Sequence, residues 1–236
     1  MINYYITNNI FMAFSTFNTF NNSINSKTKI KTNLWHLAYY NFENGATDRW
    51  NSNNATDNNS TSITTTRSKY GTYSCMSDGT QFSPKYIKTP SISYIPANGL
   101  SISLWMYRTA TATSGDTKVF EFTEESIMLW MSNNGSLINF ANGPNVSITT
   151  LNTWNNIIIT ITSSGTYIVY LNGIYKTTGT IASLVSPLPS GNICRSLTSG
   201  HNSFFGNIDD FRIYNTVLTS TNVSGIYNNT YDPALT

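Results

Sequence analysis

Residues 151–179 read LNTWNNIIITITSSGTYIVYLNGIYKTTG, and this stretch decides the fold class. Ile157, Ile159 and Ile161 alternate with Ile158, Thr160 and Thr162, the period of two expected of a strand that buries one face more than the other. Ser163-Ser164-Gly165 interrupts the run. Tyr167, Val169 and Leu171 then alternate with Ile168 and Tyr170 in a second strand, and Asn172-Gly173 turns the chain into a third at Ile174-Tyr175. Asn-Gly suits a tight type I′ hairpin, because both residues tolerate positive φ. The pattern predicts an antiparallel meander, and no helical period competes with it.

Working outward, similar signals recur along the chain. Leu37, Tyr39 and Asn41 share one face of a strand, with Ala38, Tyr40 and Phe42 on the other. Tyr70–Cys75 and Gln81–Thr89 read as strands, and Pro90 and Pro96 confine what lies between them to an edge or a loop. In 100–108, LSISLWMYR, Leu100, Ile102, Leu104 and Met106 face one way; Ser101, Ser103, Trp105 and Tyr107 face the other. Further strands are predicted over 118–123, 126–131, 137–140 and 204–215. A short helical turn around Thr221–Tyr227, capped by Ser220 or Thr221, closes the chain. The polar run 51–66 reads as a long loop. This many strands separated by turn residues predict an all-β, two-sheet antiparallel sandwich or jelly roll.

Residues 1–32 differ from the rest and are read as an extended arm, with the jelly roll over 33–236. Phe11, Phe14, Phe17 and Phe20 recur at every third position. On an α-helix that step drifts by about 60°, which smears the rings around the axis; on a strand they alternate faces. Neither element uses them well, whereas an extended segment docking separate rings into a neighbour does. Lys27, Lys29 and Lys31 at alternate positions suit a solvated strand face or an acidic partner.

Composition narrows the function classes. Apolar and aromatic residues (39% and 14%) suffice for two packed sheets, while only 10% of residues are charged and the net charge is +2. That charge is too small and dispersed for a nucleic-acid surface. Solubility must come from Ser, Thr and Asn, and about one residue in seven is Asn. Such a surface fits an exposed, glycan-facing or particle-borne protein, and also a genome whose codons favour Asn, Ile, Lys and Tyr. The opening residues lack the basic region and unbroken apolar core of a secretory signal, and no stretch reaches the ~18 apolar residues of a membrane span. The expected location is therefore a virion or other particle surface, or an extracellular one reached without a recognisable signal. Cys75 and Cys194 suit two buried free thiols, or a pair if their strands are neighbours.

The order of several short motifs resembles the laminin G-like, concanavalin A-like jelly-roll family. They are YYNFENG (39–45), YGTYS (70–74), NGLSISLWMY (98–107), TWNNIIITI (153–161), YIVYLNGIY (167–175) and FFGNIDDFRIYNTVLTSTNVSGIY (204–227). The resemblance implies two curved antiparallel sheets packed face to face. Members mostly bind glycans or proteins, frequently with calcium near the sheet rim, and relatives of the same architecture hydrolyse polysaccharides. Fold alone does not choose among these.

Hydrolysis is tested at Glu121-Phe122-Thr123-Glu124-Glu125, where Glu121 and Glu125 share a face with Thr123 in place of the aspartate of the glucanase relatives. Residues four apart on a flat strand are about 13 Å apart at Cα, whereas a retaining mechanism needs carboxyl groups about 5–5.5 Å apart. Solvated loop glutamates are the expected reading. His36 and His201 are the two histidines, and they lack the spacing of a zinc site or a nucleophile elbow; hydrogen-bonded surface or rim positions are expected. Calcium takes oxygen ligands. Glu43, Asn44 and Asp48 follow the first strand, and the resemblance brings them near Asp209 and Asp210. Alternation puts Asp209 and Asp210 on opposite faces, so at most one points at a shared ion; hydrogen bonding to the backbone, or pairing with Arg212 or Arg49, is the competing account.

For glycans, Trp105, Tyr107 and Trp130 are the candidate stacking rings, set against burial beneath a covering loop. The sequons at Asn54, Asn58, Asn59, Asn134, Asn145, Asn222 and Asn228 are acceptors only in a secretory context. The expected protein is non-enzymatic. It is either a structural component of a larger assembly such as a virus particle, joined to protein neighbours through residues 1–32, or a calcium-assisted glycan-binding module.

Overall fold

The computed structural model describes residues 35–58, 62–79, 85–110, 115–123, 126–132, 135–148, 150–197 and 202–230. They belong to the unit Leu34–Thr236; residues 1–32, with the four phenylalanines of the predicted arm, lie outside the described residues.

In chain order the early strands are β1 (His36–Tyr40), β2 (Glu43–Ala46), β3 (Thr56–Asn58), β4 (Ile63–Thr64), β5 (Ser74–Asp78) and β6 (Tyr86–Lys88). The central ones are β7 (Leu100–Arg108), β8 (Thr117–Thr123), β9 (Ile127–Met131), β10 (Leu137–Phe140) and β11 (Val146–Ser147). Then come β12 (Trp154–Ile161), β13 (Thr166–Leu171), β14 (Ile174–Thr180), β15 (Asn192–Ile193), β16 (Asn202–Ser203) and β17 (Phe205–Tyr214). Helix α1 (Ser220–Tyr227) follows.

Two sheets pack face to face in a concanavalin A-like sandwich. The first runs β14-β13-β12-β7-β17-β5-β4, with β1 also on β17; the second runs β11-β10-β9-β8-β15-β6-β3. Among the described residues all strand pairings are antiparallel except β16 on β8. The predicted meander is β12–β13–β14, and Asn172 and Gly173 turn it at φ 53° and 77°, the positive pair that a tight hairpin requires.

The inner faces make the core. Leu100, Ile102, Leu104 and Met106 of β7 and Ile157, Ile159 and Ile161 of β12 pack with Phe120, Phe122, Phe140 and Phe211, all essentially inaccessible. Each such side chain contributes roughly 1.5–3 kcal/mol on burial, which is why these alternating runs set the register. A smaller cluster lies on the outer face of the first sheet, where Val223 and Ile226 of α1 cover Ile158, Tyr170 and Tyr214.

Three local expectations are corrected. Helix α1 is capped by Thr219, one residue before the predicted caps, because its hydroxyl accepts from the Asn222 amide while the Asn222 side chain accepts from the Thr219 amide. The predicted strand at Tyr70–Cys75 begins only at Ser74, since the preceding amides bond carboxylates rather than a neighbouring strand. His36 is not a surface residue: it is 8% exposed and stacks on Trp50 with ring centroids 4.0 Å apart. His201 lies outside the described residues.

Candidate functional site

Strand β17 is the longest among the described residues and changes partners halfway. Phe205–Ile208 pair with β5, Phe211–Tyr214 pair with β1, and β7 lies along the other side. The change falls at Asp209-Asp210, where the register against β7 shifts by one residue and Asp210 takes φ 54°. This is a bulge, and an extra residue in one strand re-aims the side chains on either side of it. Alternation is therefore broken, and the expectation of opposite faces for the two aspartates does not hold. Asp209 sits opposite Trp105 on the outer face, and Asp210 bonds Arg212 there at 2.9 Å.

Each carboxylate in the predicted calcium set has other work. Asp209 Oδ2 accepts from the amides of Lys69 (2.7 Å) and Tyr70 (3.1 Å), and its Oδ1 accepts from the Asp210 amide. Glu43 Oε1 accepts from the amides of Thr72 (2.9 Å) and Tyr73 (2.8 Å). Asp48 takes the amides of Tyr39 and Trp50 on one oxygen and that of Asn53 on the other. Asn44 pairs with Arg49 once its amide is oriented to satisfy both groups. Among the described residues no three His, Cys, Asp or Glu side chains converge to hold a metal. Glu43, Asp48, Asp209 and Asp210 each thus already engage at least one carboxylate oxygen with a backbone amide or an arginine.

Those bonds build a strap. Asp209 holds residues 69 and 70, Glu43 holds 72 and 73, and Gly71 bridges them at φ 63°. A Cβ on Gly71 would come within 2.4 Å of Glu43 Oε1, so the carboxylate occupies the space a side chain would need. The strap lays two cations on the outer face of the first sheet. Lys69 Nζ lies 3.9 Å from the Trp105 ring centroid, and Arg67 Cζ lies 4.2 Å from that of Tyr107. Such contacts contribute about 0.5–2 kcal/mol each.

The face beneath is set by register. Trp105 lies between Asn156 of β12 and Asp209 of β17, and Tyr107 between Trp154 and Asn207. Direct cross-strand partners share a face, so these six residues form two adjacent rows. Trp105 is 3% exposed, stacked against Tyr227 at 5.8 Å and met edge-on by Tyr70 at 6.1 Å. Tyr107 and Trp154 are half-buried and pack edge to face at 5.4 Å. The reachable part of the face is therefore Tyr107, Trp154, Arg67 and Tyr227, with Trp105 as its floor.

Burial shapes the electrostatics. It pushes the Asp209 carboxyl up to about 7 from 3.8; the amides of Tyr70 and Lys69 work the other way, and the nearby Asp210 adds to the rise. Tyr39 and Tyr70 are raised by burial and then by Asp210. Burial works against the Arg212 cation, but Asp210, Tyr214 and Tyr39 together more than offset it, and Arg212 Cζ lies 4.5 Å from the Tyr39 ring centroid.

The fold thus joins Trp105 and Tyr107 but leaves Trp130 apart, on β9 of the second sheet with Lys118 Nζ 5.9 Å from its ring centroid. Trp154, Arg67 and Lys69 were missed. Trp154 was legible in principle, because pairing β7 with β12 around their apolar alternation places it beside Tyr107; the two cations were not. Glu121 is no solvated loop residue. It lies in β8, 2% exposed, and accepts from the Ser196 hydroxyl (2.8 Å) and the Leu197 amide (2.6 Å). Glu125 lies outside the described residues.

Solved structures share this architecture. Domain 4 of the extracellular arabinanase AbnA from Geobacillus stearothermophilus, in complex with arabinotriose, superposes with a TM-score of 0.60 at 22% identity, covering 82% of this chain and 98% of that one. The receptor-binding domain of botulinum neurotoxin type G gives 0.58 at 17% identity over 82% of this chain. The serotype D ligand-binding domain in complex with N-acetylneuraminic acid gives 0.59 at 15% over 84%. This chain spans about half the length of these two toxin domains (51% in each case). At such identities the likeness is one of fold. No curated protein sequence matches the chain. The concanavalin A-like lectin/glucanases superfamily matches over residues 78–224, more than half of the 236 residues, and the chain belongs to that superfamily.

Proposed function

We propose that residues 35–230 form a non-catalytic carbohydrate-binding module that meets its sugar on the outer face of the first sheet, where Tyr107 and Trp154 border Arg67. The observation that carries this reading is the half-buried Tyr107–Trp154 pair, held edge to face beside a guanidinium. A sugar ring presents C–H groups on one face and hydroxyls around its edge. An indole or phenol ring takes the first, and guanidinium N–H groups donate to the second. The arabinanase domain and the serotype D toxin domain, crystallised with arabinotriose and N-acetylneuraminic acid, supply two first probes. A non-catalytic role is supported by Glu121, whose buried carboxylate is engaged by the Ser196 hydroxyl and the Leu197 amide.

The test is a glycan array followed by calorimetry, starting with those two sugars. Binding is expected to weaken at least tenfold in Trp154→Ala with the melting curve retained. Binding to no glycan, or binding unchanged in both Trp154→Ala and Tyr107→Ala, refutes the reading.

A second reading concerns residues 1–32 alone and rests on the spacing of Phe11, Phe14, Phe17 and Phe20. It makes them the segment that joins a larger assembly. A chain starting at Asn33 then folds but does not enter its native complex; full incorporation would refute the role.

A further inference from the structure

Cys75, in β5 of the first sheet, and Cys194, immediately after β15 of the second, stand 119 positions apart in the chain with their sulfurs 3.4 Å apart. Both thiols are free and fully buried in the main core. Neither backbone is loose. Cys75 is paired on one side with Ile208 of β17 and on the other with Ile63 of β4. Cys194 follows β15 at φ 74°; its amide donates to Val119 and its carbonyl accepts from Phe204. The ladders of both sheets therefore hold the two side chains pointing at one another.

We propose that Cys75 and Cys194 form a disulfide linking the two sheets when the chain folds in the presence of a small-molecule disulfide oxidant. The bonded separation is about 2.0 Å, so the sulfurs need to close by about 1.4 Å from their 3.4 Å contact. The reaction balances as two exchanges. One cysteine thiolate attacks the oxidant, forming a mixed disulfide and releasing one small thiolate. The second cysteine thiolate attacks the protein sulfur of that mixed disulfide and expels the other. Two protein thiols are oxidised, one small disulfide is reduced to two thiols, and the two protons end on the thiols released.

Timing follows from burial. In the closed sandwich neither sulfur is reachable, and burial, together with Cys194 alongside, raises the Cys75 thiol well above its ordinary value. Exchange needs the thiolate, so the bond forms during folding or on opening of the short β4–β5 edge, not by attack on the native surface.

The experiment refolds the full chain from denaturant in two buffers, one with oxidised and reduced glutathione and one with a phosphine reductant. Alkylation under denaturing conditions and a non-reducing peptide map follow. The expected result in glutathione is loss of both alkylatable thiols and one peptide joining Cys75 to Cys194. The melting temperature should rise by about 5–15 °C, as expected for a cross-link closing a long loop, and fall back on reduction. Cys75→Ala and Cys194→Ala should each lose this redox dependence. If either variant fails to fold, the peptide map of the unsubstituted chain decides alone. Two alkylatable thiols after oxidative refolding, bonds between chains only, or a cross-link that lowers the melting temperature overturns the proposal.

Discussion

Asp209 Oδ2 lies 2.7 Å from the amide nitrogen of Lys69, 140 positions earlier in the chain, and thereby fastens a loop across the outer face of the first sheet. The bond pulls in two directions. Three amides aimed at the carboxylate favour its charged form, while near-complete burial disfavours it more, which leaves the group poised near neutrality.

The first prediction follows from that poise. A carboxyl whose folded value stands at about 7 against 3.8 keeps its proton longer in the folded chain than in the unfolded one. Between those values the folded chain binds more protons, so the contribution of this group to stability is full below about pH 4 and is lost as pH rises to about 7. The slope is at most ~1.4 kcal/mol per pH unit. Urea unfolding across pH 4–8 should show this decline in the unsubstituted chain and its absence in Asp209→Asn. Parallel curves for the two would place the titration elsewhere.

The second concerns the strap and calcium together. Glu43→Ala strips the acceptor from the amides of Thr72 and Tyr73, at a cost of about 1–2 kcal/mol, whereas Glu43→Gln keeps a carbonyl acceptor and most of the stability. Neither effect should change between EGTA and millimolar calcium, because Glu43 and Asp209 serve backbone donors. Calcium-dependent melting that disappears in Glu43→Gln would restore the ion to the site.

The third concerns Gly206, which lies against β7 at φ 145°. A Cβ there would stand 2.0 Å from the Tyr107 carbonyl oxygen, a backbone atom fixed by the sheet. Gly206→Ala should cost upward of about 3 kcal/mol, seen as a lower denaturation midpoint. It should also weaken sugar binding, since the displaced carbonyl belongs to Tyr107. A midpoint within error of the unsubstituted chain would contradict the close approach.

The fourth addresses Glu121. Replacement by Gln should yield no change in polysaccharide hydrolysis and a stability loss of about 1–3 kcal/mol, because a buried acceptor of two hydrogen bonds becomes an imperfect one. Hydrolytic activity that disappears in this variant would make the protein an enzyme.

The sandwich was legible because its information is local. Alternation in 100–108 and 154–171 assigns inner and outer faces through a period of two, and Asn172-Gly173 dictates a hairpin through backbone sterics alone. Trp105 and Tyr107 could be placed on the outward face by the same rule. Where alternation failed, at Asp209-Asp210, the cause was a bulge whose left-handed Asp210 carries no residue signature.

Sequence by itself therefore determined the class of fold, the superfamily motifs and the two faces of β7, since each depends on residues a few positions apart. Tertiary structure alone decided that Glu43 and Asp209 hold a strap, that Trp105 is its floor, and that Cys75 meets Cys194. The Glu43, Asp209 and cysteine pairings span 29, 140 and 119 positions. A carboxylate can coordinate a calcium ion or accept hydrogen bonds from an arginine or a backbone amide, and only the folded chain determines which of them lies within 3 Å.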